Sequence, residues 1–282
     1  MTDGAWARLI GLDAVMAVTE GSTAITIGLL DGAVDGGHPG FTPGAVTHLP
    51  SRAAGPDQGH GTKVAGVLAA RRDSGAPGVC PAARLVVRRV LGGPDGRTAR
   101  PGEVAAAIAE CVAAGVRLVN LSAAFVTTTL ADRELRDALD LAAGRGVIVV
   151  AAAGNAGQVT GSPLVSHPWV VPVTSCDRHG QPLAGANLGF SIGRRGVRPP
   201  GEPVPSLAPG GGLAPLGGTS LAAALVTGAI ALAWSAAAEL PGGVVRHALA
   251  GVPAARRGIV PPLLDAAGLY RALSRSSRKG CA

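Results

Sequence analysis

Residues 221–238 read LAAALVTGAIALAWSAAA, eighteen residues without a charge, and the fold class turns on whether this stretch crosses a bilayer or lies inside a protein. A bilayer-spanning helix needs about twenty predominantly apolar residues. This one is short by that measure, is dominated by Ala, and carries Thr227, Gly228 and Ser235 within it. Directly before it stands Gly217-Gly218-Thr219-Ser220, two glycines and two hydroxyls, the pattern of a tight turn feeding a helix N-terminus. We therefore read a buried core helix, and no membrane is expected as a partner.

The rest of the chain supplies the layers such a helix needs. Hydrophobic residues make up 47% and charged residues 15% of the 282, which excludes a disordered chain. The 43 Gly and 22 Pro fall between apolar runs without a collagen period and read as turns. Only 3 Trp, 1 Tyr and 3 Phe are present, so the core must be built from Ala, Val, Leu and Ile, and an RNA-binding sheet of stacked aromatics is excluded. Apolar runs without alternation at 25–30, 85–90, 118–121, 147–151 and 170–173 predict strands. Helical patterns at 60–72, 103–114, 130–143 and 220–239 lie between and after them. That order predicts an α/β fold, a central, mostly parallel sheet covered on both faces. Residues 1–20 read as a helical lead-in, 21–272 as one domain, and 273–282 as a basic, frayed tail. The Gly- and Pro-rich stretch 177–218 reads as turns and short strands wrapping the sheet edge.

The formal charge of +7 is spread over pairs such as Arg71-Arg72, Arg88-Arg89, Arg194-Arg195 and Arg256-Arg257, which read as solvated side chains rather than a nucleic-acid surface. Cys80, Cys111, Cys176 and Cys281 show no CxxC pairing and no His at ligand spacing, so free thiols and no metal site are expected. The opening Met-Thr-Asp-Gly-Ala-Trp lacks a basic segment followed by an apolar one, so no secretory signal is expected and the cytoplasm is the expected compartment.

In parallel sheets functional groups gather where strands end and helices begin. Four such places carry polar residues. Asp31 ends the first apolar run, His60 stands between glycines at a helix start, Asn155 follows Ala-Ala-Ala-Gly at the end of the fourth run, and Ser220 precedes the apolar helix. Taken singly, these are a turn former, a helix-start histidine, a turn asparagine and an N-cap. Their joint occurrence in the order Asp, His, Asn, Ser is much harder to explain that way. No glycine-rich phosphate loop ending in Gly-Lys-Ser or Gly-Lys-Thr is present, which removes the nucleotide-binding alternative.

The sequence resembles the subtilisin-like serine proteases, the subtilases, motif by motif over about residues 6–269. The matches are LLDGAVDGGHPGF around Asp31, GHGTKVAG around His60, VNLSAA, AAAGNAG around Asn155, GGTSLAAALVTGAIAL around Ser220, and a late PLLDAAGL. Within the family it is most similar to the cyanobactin-type maturation proteases, subtilases that process ribosomal peptide precursors. The pointers are Gly32 after the Asp, Trp6 with Gly11-Leu12 before the first strand, and Asp177-Arg-His-Gly-Gln181-Pro182-Leu183 after the fifth.

The resemblance implies a three-layer α/β/α sandwich and a serine endopeptidase working through an acyl-enzyme. Ser220 is the implied nucleophile, His60 its base and Asp31 the orienter of His60, while Asn155 stabilises the oxyanion. Substrate is implied to lie extended along Ser122, Ala123 and Ala124, with Ala152, Ala153 and Gly154 on the facing wall of the S1 pocket and Thr219 beside the nucleophile. A peptide or precursor peptide, with leader removal as its role, is the implied substrate, and no cofactor is implied. The alternative is a weakly active relative that binds peptide within a biosynthetic complex. Three positions depart from the family pattern: Ala124 where a Gly is usual, Ala224 where a Pro is usual, and Lys63 where a second His is usual. The loop 71–78 carries one carboxylate, too few for the family's calcium site, and no propeptide is expected. Asp31 and His60 are 29 residues apart, which leaves no room for the helical lid of macrocyclising relatives, so hydrolysis is expected over transpeptidation.

Overall fold

Strands without alternation become strands buried on both faces. The computed structural model describes residues 4–55, 59–92, 96, 98–122, 124–125, 129–251 and 258–280. Along the chain come α1 (Ala5–Leu9), α2 (Leu12–Met16), β1 (Thr26–Asp31), β2 (Val46–His48), α3 (His60–Ala69), β3 (Arg84–Arg89), β4 (Thr98–Ala99), α4 (Pro101–Ala113), β5 (Leu118–Leu121) and β6 (Ala124–Phe125). They continue with α5 (Thr129–Gly144), β7 (Ile148–Ala152), α6 (Pro163–Ser166), β8 (Val171–Val173), α7 (Phe190–Arg195), β9 (Val204–Ala208), β10 (Gly212–Leu216), α8 (Gly218–Ser235), α9 (Gly242–Ala250) and α10 (Ala266–Gly280). The main sheet has the order β2-β3-β1-β5-β7-β8, and every pairing in it is parallel.

Two apolar layers cover it. Ile27 and Leu29 of β1 pack with α3 and α8, while Leu30 belongs to the layer formed with α4 and α5. This is the expected three-layer sandwich. Helix α8 is its spine: every residue from Thr219 to Trp234 is buried. It is long and apolar enough to cross a membrane by length and composition, yet it lies inside the fold. The hydroxyl of Thr227 donates to Asn120 Oδ1 of β5 at 2.9 Å, satisfying two polar groups that are both fully buried.

Several expectations need correction. Residues 273–280 are not a frayed tail: they form the second half of α10, because Leu269 and Leu273 fall on one helix face and bury themselves, Leu273 completely, while 281–282 lie outside the described residues. Helix α3 stops at Ala69 rather than 72. Ala70 turns extended, and the Arg72 guanidinium donates to the carbonyls of Met16, Thr19 and Val79, tying the lead-in to the loop after α3. Arg88 is not solvated but 3% exposed, donating to Glu103 Oε1 at 2.7 Å and Glu110 Oε2 at 2.6 Å, two α4 carboxylates on one helix face. Burial alone would lower its pKa, and those two carboxylates raise it instead. His167 is buried as well, with Nε2 3.1 Å from Asp140 Oδ1. His38 sits in its turn but is also buried, its Nδ1 accepting from the Gly40 N–H at 2.9 Å.

Candidate active site

Three neighbouring strands define the place. Leu30 of β1, Leu121 of β5 and Ala151 of β7 stand in register, so Asp31, Ser122 and Ala152 follow at the carboxyl edge of the sheet. Adjacent strands lie about 4.8 Å apart, so these three positions span about 10 Å.

At the β1 end, Asp31 is fully buried and His60 keeps 28% of its side-chain surface. The Nδ1–H of His60 donates to Asp31 Oδ1 at 2.6 Å, and the Gly32 N–H donates to the same oxygen at 2.6 Å. A bond at Nδ1 fixes the tautomer and leaves Nε2 as the basic nitrogen. Only a glycine allows this approach: a Cβ on Gly61 would lie 2.5 Å from the carbonyl oxygens of Gly32 and Ala33. Thr62 adds a further tie, its Oγ1 accepting from the Asp35 N–H at 2.9 Å.

At the β7 end, Asn155 is exposed, and its Oδ1 accepts from the Thr219 N–H at 3.0 Å. That bond assigns the oxygen of the amide and turns its NH2 to other work. Gly218 makes the contact possible, with φ of +72° and a hypothetical Cβ only 2.8 Å from Asn155 Oδ1. Ser220 follows in the first turn of α8 and is 8% exposed. Helices α3 and α8 pack on one another and both begin at the carboxyl edge, one on the end of β1 and the other on the end of β7.

A serine at a helix start, a histidine held by a buried carboxylate and an amide fixed beside that serine are the kinds of group that acyl transfer uses. The model of the subtilase family matches residues 22–251.

The chain belongs to the subtilase family.

It is thus a subtilisin-like serine endopeptidase. Among curated relatives, subtilisin BL of Lederbergia lenta is 34% identical over 191 residues, 67% of this chain and 68% of that protein. Other subtilisins match over 55% of their own length. Among solved structures, the prenylagaramide maturation protease PagA is 28% identical with a TM-score of 0.83, over 93% of this chain and 98% of that one. The patellamide maturation protease PatA is 31% identical with a TM-score of 0.78, over 90% and 98%.

The other described residues expected in the site lie along the same edge. Ser122 is buried, its Oγ accepting from Asn120 Nδ2 at 3.1 Å. Ala124 opens β6 and pairs with Thr98 of β4, while Ala123 lies outside the described residues. Ala152, Ala153 and Gly154 are half-buried, and the Ala153 N–H donates to Val173 O at 2.8 Å. Thr219 is fully buried, so it reaches the cleft through its N–H bond to Asn155 and not through exposed surface of its own. One residue went unread in the sequence. Asn187 binds the backbone on both sides of Asn155, and in Gly-Ala-Asn-Leu-Gly it looks like any turn asparagine.

Proposed function

We propose that this subtilase hydrolyses a ribosomally made precursor peptide, with Ser220 as nucleophile, His60 as general base and acid, Asp31 as the carboxylate that orients His60, and Asn155 in the oxyanion hole. The observation that carries the reading is the 2.6 Å bond from His60 Nδ1 to a fully buried Asp31. A serine hydroxyl is a poor nucleophile at neutral pH and needs a base to take its proton. As Ser220 Oγ bonds to the substrate carbonyl carbon, its proton passes to His60 Nε2, and buried Asp31 stabilises the imidazolium. The negative charge on the carbonyl oxygen falls to the NH2 of Asn155 and the N–H of Ser220 at the start of α8. The C–N bond then breaks, with the His60 proton going to the leaving amine. Water attacks the ester by the same route in reverse roles and frees Ser220.

The peptide lies extended along Ser122, Ala123 and Ala124, where main-chain bonds give affinity, and Ala152, Ala153 and Gly154 wall the pocket for its preceding side chain. Precursor processing draws its support from PagA and PatA, both named as maturation proteases. The free thiols of Cys80, Cys111 and Cys176 support a reducing compartment, the cytoplasm.

The test is a fluorophosphonate probe followed by mass mapping. Ser220 should be labelled, and the label should vanish in His60→Ala; a folded chain left unlabelled at Ser220 refutes the mechanism. Digestion of a peptide library should then give cuts clustered at one motif, whereas uniform degradation counts against a dedicated processing role.

A further inference from the structure

We infer that Asn187 is a positioning residue for catalysis, a splint that holds Asn155 at the angle the oxyanion requires; this rests on the function proposed above. Residues 155–161 are exposed, and an exposed loop is a poor place to hold a catalytic donor, which must stay within about 0.5 Å of its productive position. Asn187 supplies the missing frame. It is 8% exposed, its Nδ2 donates to Ala153 O at 3.0 Å, and its Oδ1 accepts from the N–H groups of Ala156 at 3.1 Å and Gln158 at 3.0 Å. Its own N–H donates to Gly154 O at 2.9 Å. Four bonds therefore bracket Asn155 from both sides.

The splint is itself anchored. The carbonyl of Asn187 accepts from Thr174 Oγ1 at 2.8 Å, and Thr174 is fully buried directly after β8. The segment is laced onward by Gly157 N–H to Gly185 O at 2.8 Å and Leu188 N–H to Gln158 O at 2.9 Å. Only an amide fills this role: it offers a donor and an acceptor from one rigid plane, whereas a carboxylate lacks the donor and an aliphatic side chain lacks both. Asn155 then has two supports, the Thr219 N–H on its own side chain and the Asn187 splint on its backbone.

Acting through Asn155 predicts a specific energetic signature. The rate of Ser220 phosphonylation by a fluorophosphonate is measured on the full chain for wild type, Asn155→Ala, Asn187→Ala and the double variant, with the maximal rate separated from the half-saturating concentration. Asn155→Ala should slow the maximal rate about a hundredfold. Asn187→Ala should slow it about tenfold and leave half-saturation within about twofold, a split that general loosening of the fold would not produce. The double variant should be no slower than Asn155→Ala within about twofold, because a splint has nothing left to position. Losses that multiply, or a wild-type rate in Asn187→Ala, overturn the role. Should Asn187→Ala fail to fold, Asn187→Asp, which keeps both acceptor bonds and the side-chain shape, takes its place in the same cycle with the same expected signature. An unlabelled wild-type chain overturns the proposed mechanism and the splint together; a labelled wild type with multiplying losses overturns the splint alone.

Discussion

The two ends of the cleft are built on different plans. At β1, the functional groups hold each other: Asp31 bonds His60 directly, and both sit in short glycine-flanked motifs. At β7, the functional amide is held by others: Thr219 takes its oxygen, while Asn187, 32 positions away in the chain, grips the backbone around it. Self-supporting geometry leaves a dense sequence signature. Geometry supported from a distance leaves almost none, because a backbone carbonyl or N–H bonds equally well whatever residue carries it.

The comparison predicts unequal losses. Under the proposed mechanism His60→Ala should lower kcat by about a millionfold, and Asp31→Ala by about ten-thousandfold, the order found for such triads. Single-turnover kinetics on a cleaved peptide check both, and equal losses would mean that Asp31 does more than orient. Asn155→Ala, on the distant plan, should cost about a hundredfold to a thousandfold in kcat with KM little changed. A smaller loss would move the oxyanion burden to the α8 start. Thr227→Val removes the donor to buried Asn120 Oδ1 and should cost about 1–3 kcal/mol of stability by denaturant unfolding. Because Asn120 also donates to Ser122, a companion rise in KM would support the proposed substrate-binding role of that segment and extend the distant plan to it.

The thiols take no part at either end, and their effect is confined to alkaline pH. Burial lifts Cys80 and Cys111 to about 12 and Cys176 to about 11. In the unfolded chain thiols ionise near about 8.5. Above that pH the unfolded state binds fewer protons than the folded one, so stability should be flat below about pH 8 and fall as pH rises toward 11. Thermal unfolding across that range checks the slope. Mass mapping after an aromatic disulfide reagent at pH 8 should find these three cysteines unmodified until the chain is unfolded.

Much of this was legible in the residues. The apolar runs gave the sheet and its covering because strands buried on both faces need no alternation, and the four glycine-rich turns gave Asp31, His60, Asn155 and Ser220. What stayed hidden follows from long-range bonding and from charge. Arg72 and Arg88 read as solvated because composition cannot show that carbonyls or two carboxylates await them. The end of the chain read as frayed because its Arg and Ser outnumber the two leucines that dock α10. Asn187 read as a turn former because nothing local marks a side chain that bonds in two directions at once.

Helix α8 carries one more consequence. Ser220 lies in the first turn of the helix at the centre of the apolar layer that α3 and α8 form on one face of the sheet, with all sixteen residues from Thr219 to Trp234 buried. Segments of this kind open only when the whole molecule opens. The amides of α8 should therefore be the last to exchange with solvent deuterium, and Ser220 should keep its place until global unfolding. Heating will then displace Ser220 only in the transition that unfolds the whole chain, and deuterium exchange at α8 will share its midpoint with the loss of circular dichroism.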